Sequence, residues 1–469
     1  MPTEHDVLQL LYPDAGRRTV PTLHRPVLNE NEPEPLPHVP TLSGADMAAW
    51  PVLDTEALYG LAGEVVRLYE PHTEADPVAL LVSFLAEVGV MVGRAPHLIL
   101  DGGYHPLLFW PVLVGKSSKS RKGTADRRIE ALCQLTDAAW TRGECKGTLS
   151  SGEGLAYAVR DAQFKEEPVK LSGKPTGEMQ TICTDSGVED KRLFLVQSEF
   201  GAVLRVMERE GNSLSGVLRD AWDGRDLTPM TKANRVKATS PHIGIAGHVT
   251  KDELLRNLNS TEASNGFGNR FVWFAVQRSK ELPFPSSPDD DATQSLSQHI
   301  RVRIQTARTM SAFSLSARAR EAWKALYHDL SAERPGLAGD LLGRAEAQVM
   351  RLAALYALLD GTSVIDLIHL RPACALWQYA EASTRYIFGD NTGDSYADTI
   401  LRALSAQGAI DETGISALFG RNASAARLTK AKATLVTAGL AHSVSVSSGG
   451  RDRVMWSLGT KKNELNEKR

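Results

Sequence analysis

The segment with the clearest chemical potential is residues 111–132, PVLVGKSSKSRKGTADRRIEAL. An apolar run enters a small, polar, basic loop, and a helical pattern follows it. The backbone N–H groups of such a loop, together with the N-terminus of the next helix, can cradle phosphate oxygens. The candidate phosphate-binding residues are Gly115, Ser120, Arg121, Lys122, Gly123 and Thr124.

This loop departs from the standard phosphate-loop pattern G-x-x-x-x-G-K-[ST]. Counted from Gly115, the sixth position is Ser120 rather than glycine, and Lys122 comes one place late. Gly123 then separates this lysine from the hydroxyl of Thr124. The alternative interpretation is a basic, solvated turn before a helix. In the phosphate-binding interpretation, Lys122 meets the phosphates and Thr124 is a ligand of Mg²⁺.

A second candidate segment is residues 191–204, KRLFLVQSEFGAVL. Four apolar residues run into polar ones, which is the shape of a Walker B strand that delivers a carboxylate to a metal ion and to the attacking water. Ser198 stands where the usual aspartate is expected, so Glu199 becomes the candidate catalytic acid and metal ligand. The alternative is an ordinary buried strand with Glu199 capping the next helix.

These segments belong to a stretch in which short apolar runs alternate with helical patterns. The β-rich runs are Leu107–Val114, Leu193–Val196, Ile243–Ala246 and Phe271–Val276, and the helical stretches include Thr124–Trp140, Leu155–Asp161 and Phe200–Glu210. The alternation predicts an α/β core with a mainly parallel sheet over residues 107–280. Because proline is poor in a central strand, Pro111 limits the first strand to Val112–Val114.

The regions around this core have different patterns. Residues 1–50 hold eight of the 23 prolines and predict a flexible arm. Residues 51–106 predict an N-terminal helical segment that includes a buried helix over Val78–Gly93, and residues 311–392 predict a helical domain. We expect residues 281–310, which are polar, to be a linker loop.

The C-terminal region predicts a winged-helix-like domain over residues 396–460, followed by a charged tail at 461–469. Helical patterns at 398–406, 412–419 and 423–438 precede two β-like runs, His442–Val446 and Val454–Leu458. Three helices followed by a β-hairpin, in this order, resemble a winged helix.

Composition excludes several classes of protein. The 469 residues are 42% apolar and carry a formal net charge of −3, which excludes wholesale disorder and a globally basic nucleic-acid coat. Four separated cysteines, at positions 133, 145, 183 and 374, form neither a disulfide framework nor a zinc motif and fit a reducing compartment. The run at Val78–Gly93 is shorter than the ~20 residues that span a bilayer. We therefore expect a cytoplasmic protein with no membrane partner.

At the level of whole motifs, the chain resembles a large bacterial, phage and plasmid family of P-loop proteins that carry a domain of unknown function. Its members are commonly classed as replicative helicases or primase-helicases. The matching stretches lie within residues 70–390 and include VLVGKSSKSRKGT, LSSGEGLAYAVRD, LFLVQSEFGAVLRVMEREGNSLSGVLRDAWDG, GHVTKDEL and NGFGNRFVWF. Lys116 and Ser120 depart from the family, which often has an acid and a glycine there.

The resemblance implies a RecA-like P-loop NTPase core with helical N-terminal and C-terminal extensions, and it suggests roles for three more residues. Glu153 is either part of a Ser150-x-x-Glu153 capping box, which we favour, or a catalytic glutamate. His248, which ends the run IGIAGH, is either a γ-phosphate sensor or a structural histidine. Arg270 suits an arginine finger that reaches a neighbouring subunit's nucleotide. The alternative for Arg270 is a salt bridge that anchors its loop, and Arg344 and Arg351 are competing candidates.

Two basic regions are candidates for DNA binding. Residues 222–238 resemble an exposed hairpin that in RecA-like rings faces the pore, and the region from Tyr396 carries 11 Lys and Arg against 6 Asp and Glu. The candidate DNA-binding residues are Arg225, Lys232, Arg235, Lys237, Arg427, Lys430, Arg451 and Arg453. A basic hairpin can also be merely solvated, and winged helices also dock proteins.

We therefore expect a DNA-dependent ATPase of replicative-helicase type from a mobile genetic element, with ATP and Mg²⁺ as cofactors. It would act on single-stranded DNA as a homo-hexamer or another ring, with any primase on a separate chain. One alternative is a non-hydrolysing DNA-binding or initiator protein with a degenerate P-loop. Another is a defence-system ATPase that does not unwind DNA.

Overall fold

The computed structural model describes residues 49–117, 119–141, 149–171, 174–229, 236–258, 262–263, 265–332, 334, 336–389, 392, 394–446 and 453–459. Most of the predicted arm at 1–50 and all of the charged tail at 461–469 lie outside these ranges.

The described helices are, in chain order, α1 (Gly60–Tyr69), α2 (Pro77–Met91), α3 (Lys122–Thr136), α4 (Ala138–Thr141), α5 (Gly152–Ala158), α6 (Phe200–Met207), α7 (Leu214–Trp222), α8 (Lys251–Asn257), α9 (Asp290–Ala307), α10 (Ala317–Leu330), α11 (Gly336–Leu342), α12 (Ala345–Leu359), α13 (Leu367–Phe388), α14 (Ser395–Gln407), α15 (Glu412–Leu418) and α16 (Ala425–Thr437). The described strands are β1 (His97–Leu100), β2 (Gly103–Pro106), β3 (Pro111–Val114), β4 (Gln163–Leu171), β5 (Lys174–Asp185), β6 (Arg192–Gln197), β7 (His242–Val249), β8 (Val272–Ala275), β9 (Ser314–Leu315), β10 (Val364–Ile365), β11 (Ala409–Asp411), β12 (Ala441–Val446) and β13 (Arg453–Leu458).

A four-stranded parallel sheet forms the centre of the α/β region, in the order β6-β7-β3-β8. This confirms the predicted alternation of strands and helices and the mainly parallel sheet. Pro111 is the first residue of β3, a position where a missing N–H is tolerated. The order is compatible with a RecA-like or Rossmann-like core. It places β7 between the strand that enters the candidate phosphate loop and the candidate Walker B strand.

The predicted buried helix is confirmed as α2, in which every residue from Val78 to Met91 is buried. Asp76 caps it by accepting a hydrogen bond from Val78 N at 3.0 Å, and Pro77 occupies the first turn. The helix lies very close to the sheet, because a β-carbon added at Gly244 would be 2.2 Å from Val90 Cγ2. None of the described helices is long and apolar enough to cross a membrane.

The prediction of a linker loop at 281–310 is wrong, because α9 occupies Asp290–Ala307. Asp289 caps this helix by accepting from Ala292 N at 2.9 Å. Only four apolar side chains, at Leu296, Ile300, Ile304 and Ala307, are buried along it. They recur at helical spacing, but the polar residues between them hid this pattern.

Two antiparallel hairpins were also missed. The strands β1 and β2 lie within the segment that was predicted to be helical, so that prediction holds only for α1 and α2. The strands β4 and β5 form a long two-stranded hairpin. Its described side chains, at 163–169 and 178–185, are mostly exposed, and they include Phe164 and Met179. A hairpin without a buried face lacks the strong apolar alternation by which strands are recognised in a sequence.

The helical region 311–392 is confirmed as α10 to α13, with two short parallel strands, β9 and β10, between them. It packs directly on the central sheet. Tyr379 Oη donates to Ala275 O at 2.7 Å, and the rings of Trp273 and Phe388 meet edge to face at 5.6 Å.

The C-terminal region contains the three predicted helices and both predicted strands. It adds β11, so that the antiparallel sheet has the order β11-β13-β12. Its apolar side chains form a core separate from that of the rest of the described chain, built around residues such as Ile400, Leu404, Leu435 and Trp456. This order of elements is the one that the winged-helix-like prediction requires.

Candidate functional site

The residues predicted to bind phosphate lie where the strands of the central sheet end. Because β3, β6, β7 and β8 are parallel, their carboxyl ends meet at one edge of the sheet. In open α/β sheets this edge is where ligands bind. The loop after Val114, the turn before Glu199 and the turn before Lys251 therefore share one edge.

The loop is packed tightly against the ends of the neighbouring strands. Gly115 N donates to Val249 O at 3.2 Å, and a β-carbon at Gly115 would lie 2.3 Å from Val276 O. Ser120 is buried, and its Oγ donates to Lys116 O at 2.6 Å. Glycine is thus required at position 115, whereas the serine at position 120 closes the loop with a hydrogen bond.

Arg121 explains how the loop tolerates its irregular sequence. It has a φ of +53° and is the N-cap of α3, so it adopts the left-handed conformation that favours glycine. Its side chain leaves the loop and pairs with Glu74, with Nε 2.6 Å from Oε2. The residue with the positive φ is therefore Arg121, directly before Lys122. It lies one position after Ser120, where the standard pattern has a glycine.

Lys122 is the first residue of α3, and its ammonium group turns back into the loop. Its Nζ donates to Gly115 O at 3.0 Å, to Lys116 O at 3.3 Å and to Ser120 Oγ at 3.0 Å. All three acceptors are neutral. Burial lowers the pKa of Lys122 from 10.5 to about 8, and the nearby negative charge of Glu253 opposes this shift.

Gly123 and Thr124 continue the first turn of α3. A β-carbon at Gly123 would meet nothing closer than Arg127 Nη1 at 3.7 Å, so this glycine is not required sterically. Arg127 Nη2 donates to Thr124 Oγ1 at 3.3 Å. The hydroxyl of Thr124 keeps a free lone pair and can still accept or coordinate.

Glu199 is exposed after β6 and immediately precedes α6. It occupies the N-cap position of this helix, but its side chain makes no capping hydrogen bond. Within the described chain its carboxylate has no hydrogen-bond or ion-pair partner, so the capping alternative is not what the structure shows. The preceding Gln197 is buried and accepts from Leu149 N at 3.1 Å.

Glu253 is a further acid at this edge that the sequence interpretation did not single out. It lies in the first turn of α8, close enough to Lys122 to affect its pKa, and Oε1 is 3.0 Å from Arg205 Nη1. A β-carbon at Gly201 would lie 2.2 Å from the same oxygen. The sequence signal for Glu253 is the capping pattern Thr250-x-x-Glu253 after an apolar strand. Thr250 caps α8 by accepting a hydrogen bond from Glu253 N.

Two other predicted site residues are engaged in internal contacts. The helix after position 150 is capped by Ser151, not Ser150, so the predicted capping box is wrong by one residue. Glu153 instead accepts from Ser213 Oγ at 2.9 Å. His248 is buried, with Nε2 2.6 Å from Asp126 Oδ2 on α3.

Arg270 is buried inside the chain rather than displayed at its surface. Its Nη2 lies 2.9 Å from Asp223 Oδ2, and it also donates to Gly266 O. An arginine finger must extend to a neighbouring subunit, so this position does not suit that role. Burial lowers the pKa of Arg270, and the positive charge of Arg344 lowers it further.

The competing candidates, Arg344 and Arg351, surround the same buried indole. The guanidinium carbons of Arg270, Arg344 and Arg351 lie 5.5, 5.0 and 3.5 Å from the ring centroid of Trp222. Arg351 is completely buried and donates to Leu108 O and Trp222 O. The three arginines therefore anchor α12 and the loop before β8 to the segment around Trp222.

The basic residues predicted to bind DNA divide into three groups. Arg225, Lys237, Lys430 and Arg453 are exposed. Arg427 forms a two-point contact with the Asp394 carboxylate at 3.0 and 3.2 Å, so its guanidinium is already paired. Lys232, Arg235 and Arg451 lie outside the described residues.

The base of the predicted 222–238 hairpin is described and lies far from the phosphate loop. Leu227 and Ala238 exchange two 2.9 Å backbone hydrogen bonds, and both are buried. Arg94 Nη1 donates to Gly224 O and Pro241 O, which places this base beside the start of β7. The phosphate loop contacts the other end of β7, about 23 Å away at ~3.3 Å per residue.

Within the described residues, no group of three or more His, Cys, Asp or Glu side chains comes together as a metal centre would require. No model of a known protein family matches the chain. A search of curated proteins likewise returned no match.

Proposed function

We propose that this protein is a P-loop nucleoside triphosphatase that couples ATP hydrolysis to binding of DNA. The observation that carries the proposal is Lys122, a partly desolvated ammonium group at the carboxyl edge of a parallel sheet, whose hydrogen-bond acceptors among the described residues are all neutral oxygens. A polyphosphate would replace these weak partners with charged ones. Gly115, whose lack of a β-carbon allows the loop to close, supports the same site.

The surrounding residues supply the other parts that phosphoryl transfer needs. The N-terminus of α3 presents backbone N–H groups to an anion. Glu199 is a carboxylate without a partner in the described chain, suited to accept a proton from an attacking water. Glu253 lies near Lys122 and offsets the cost of burying its charge.

The oxygen donors present fit Mg²⁺, which keeps several waters and takes few protein ligands. The Thr124 hydroxyl would hold it, with Glu199 acting directly or through water. When bound, Mg²⁺ would neutralise developing charge on the phosphates. The rest of the coordination would come from the nucleotide and water.

DNA binding is supported by exposed basic residues on the winged-helix-like region. Lys430 on α16 and Arg453 at the start of β13 are exposed. The hypothesis that residues 222–238 bind DNA rests on Arg225 and Lys237, which are also exposed. Such residues bind phosphates without requiring a base sequence. A ring assembly remains part of the proposal, but its arginine finger would not be Arg270.

The proposal is tested by ATP turnover in three single variants of the full chain. Lys122→Ala should abolish turnover and weaken nucleotide binding, because the ammonium group that meets the phosphates is lost. Glu199→Gln should bind ATP and hydrolyse it slowly, because an amide is a poor base. Lys116→Ala is the matched control, since this exposed lysine precedes the turn. Wild-type turnover by folded Lys122→Ala protein would remove the phosphate-loop assignment.

One observation favours the non-hydrolysing DNA-binding protein as a second candidate. Lys122 Nζ and Ser120 Oγ already donate to acceptors within the loop, and a phosphate would have to displace these contacts. In that case the winged-helix-like region carries the function. Retention of full DNA affinity without any ATP turnover in the wild-type chain would support this candidate over the first.

A further inference from the structure

Arg127 lies in the second turn of α3, and its guanidinium turns back toward the residues predicted to meet the phosphates. Nη2 donates to Thr124 Oγ1 at 3.3 Å, and a β-carbon added at Gly123 would lie 3.7 Å from Nη1. Side chains on an α-helix lean toward its N-terminus, so this orientation follows from the helix geometry. Together with Lys122, Arg127 is therefore a second cation beside the first turn of α3.

Arg127 differs from the other arginines that line the neighbouring cavity, which has a volume of about 570 Å³. Arg121 and Arg278 both pair with Glu74. Arg128 donates to two backbone carbonyl oxygens, at 3.1 and 2.7 Å. Within the described chain, Arg127 has no carboxylate partner, and its acceptor is a neutral hydroxyl group. An anion could therefore bind Arg127 without breaking an ion pair or releasing a backbone segment.

The position of Arg127 relative to the loop distinguishes a single phosphate from a chain of phosphates. Lys122 Nζ turns into the loop, whereas Thr124 and Arg127 line the cavity on the outer side of α3. A single phosphate bound at Lys122 would stay within the loop. A second or third phosphate group would extend toward the cavity, where the planar fork of Arg127 can donate to two of its oxygens.

We propose that Arg127 is a second phosphate-binding residue, supplied by the same chain, which makes the site selective for polyphosphates over a single phosphate. Lys122 would bind the phosphate group within the loop, and Arg127 would bind the next group on the cavity side. This inference rests on the proposed function and adds to it the residue that responds to the length of the phosphate chain. Arg127 thereby supplies a cation that the buried Arg270 does not.

The test compares inorganic tripolyphosphate with orthophosphate by calorimetric titration of the full chain, without added Mg²⁺, so that only the chain's own cations meet the phosphates. Arg127→Ala should weaken tripolyphosphate binding about tenfold, as the loss of one charged hydrogen-bonded contact predicts, and leave orthophosphate binding unchanged. Arg127→Lys should recover part of the lost affinity, because it keeps the charge but lacks the planar fork. Because Arg127 is exposed, its substitution does not threaten folding. Arg320→Ala, at an exposed arginine on α10, is the control that should affect neither ligand.

The outcomes separate this inference from the function on which it rests. If Lys122→Ala weakens both ligands while Arg127→Ala binds tripolyphosphate like the wild type, the phosphate loop stands and the role of Arg127 is overturned. If Arg127→Ala weakens both ligands equally, Arg127 acts on the structure of the loop and the selectivity is overturned. If the wild-type chain binds neither ligand, the proposed function itself fails, and this inference fails with it.

Discussion

Lys122 is the central residue of the candidate site because its ammonium group is partly buried and its described hydrogen-bond acceptors are neutral oxygen atoms. Its depressed pKa reflects burial, which disfavours the charged form. Below about pH 8 the folded and unfolded chains both carry this proton. Between about 8 and 10.5 only the unfolded chain keeps it, so this group makes folding more favourable as pH rises.

Nucleotide affinity should have the opposite pH dependence to this stability contribution. A polyphosphate binds the protonated lysine, so Kd should rise as pH increases through about 8, by up to about tenfold per pH unit. Lys122→Arg should bind with little pH dependence, because a guanidinium stays charged. Titrations with tripolyphosphate from about pH 7 to about pH 9.5 measure both curves. A flat wild-type curve would contradict this role of Lys122.

At the scale of elements, the turn between β3 and α3 sets the shape of the candidate phosphate loop. Arg121 adopts a left-handed conformation at the N-cap of α3. This conformation is strained for a residue with a β-carbon. Its ion pair with Glu74 is partly exposed and stabilises little. The loop therefore keeps its shape at some cost to the stability of the chain.

Replacing Arg121 should reveal this strain. Arg121→Gly should have a free energy of unfolding about 1 kcal/mol higher than Arg121→Ala, because only glycine adopts the positive φ freely. Both variants lose the contact with Glu74. The difference between their free energies of unfolding therefore reports the backbone strain at position 121. Urea denaturation of the two proteins provides the measurement. Equal midpoints and slopes would show that position 121 is not strained.

At the scale of the whole molecule, the cluster around Trp222 connects regions that are distant in the sequence. Asp223 is the carboxylate within this group of arginines, and Arg270 lies closest to it at 2.9 Å. Because Arg270 and Arg351 are buried and Asp223 is partly buried, removal of one member leaves other charges without partners. The cluster is thus expected to stabilise the fold rather than to act on a neighbour's nucleotide.

Arg270→Ala should consequently lower the free energy of unfolding by about 3 kcal/mol, since it leaves Asp223 without its closest partner. Any loss of ATP turnover should follow the loss of folded protein. Mixing this variant with Glu199→Gln subunits should restore no turnover. Restored turnover in the mixture would instead assign Arg270 to a neighbouring subunit's site.

The C-terminal region can be tested as a separate unit because it has its own apolar core. Deletion of residues 396–469 should weaken DNA binding and leave basal ATP turnover unchanged.

Within the full chain, Lys430→Ala and Arg453→Ala should each reduce the salt dependence of single-strand binding by a slope of roughly 0.7. Arg427→Ala should instead lower stability, since this arginine pairs with Asp394. Filter binding at two salt concentrations measures the slopes.

Features that depend on local periodicity could be predicted from the sequence. The strand, loop and helix around Lys122, the buried helix α2 and the order of elements in the C-terminal region all have strong apolar patterns, and each was predicted within a few residues. The weaker patterns of α9 and of the β4–β5 hairpin were missed because few of their described side chains are buried.

Contacts between side chains that are distant in the sequence depend on how the whole chain packs. Glu253 approaches Lys122 because β7 lies beside β3, and Arg270 turns inward because Trp222 and Asp223 lie behind its loop. Strand order and burial arise from packing of the whole chain, which residue spacing along one segment does not encode. The residues at the start of α3, such as Lys122, could therefore be predicted from the sequence. Glu253, which approaches them from another element, could not.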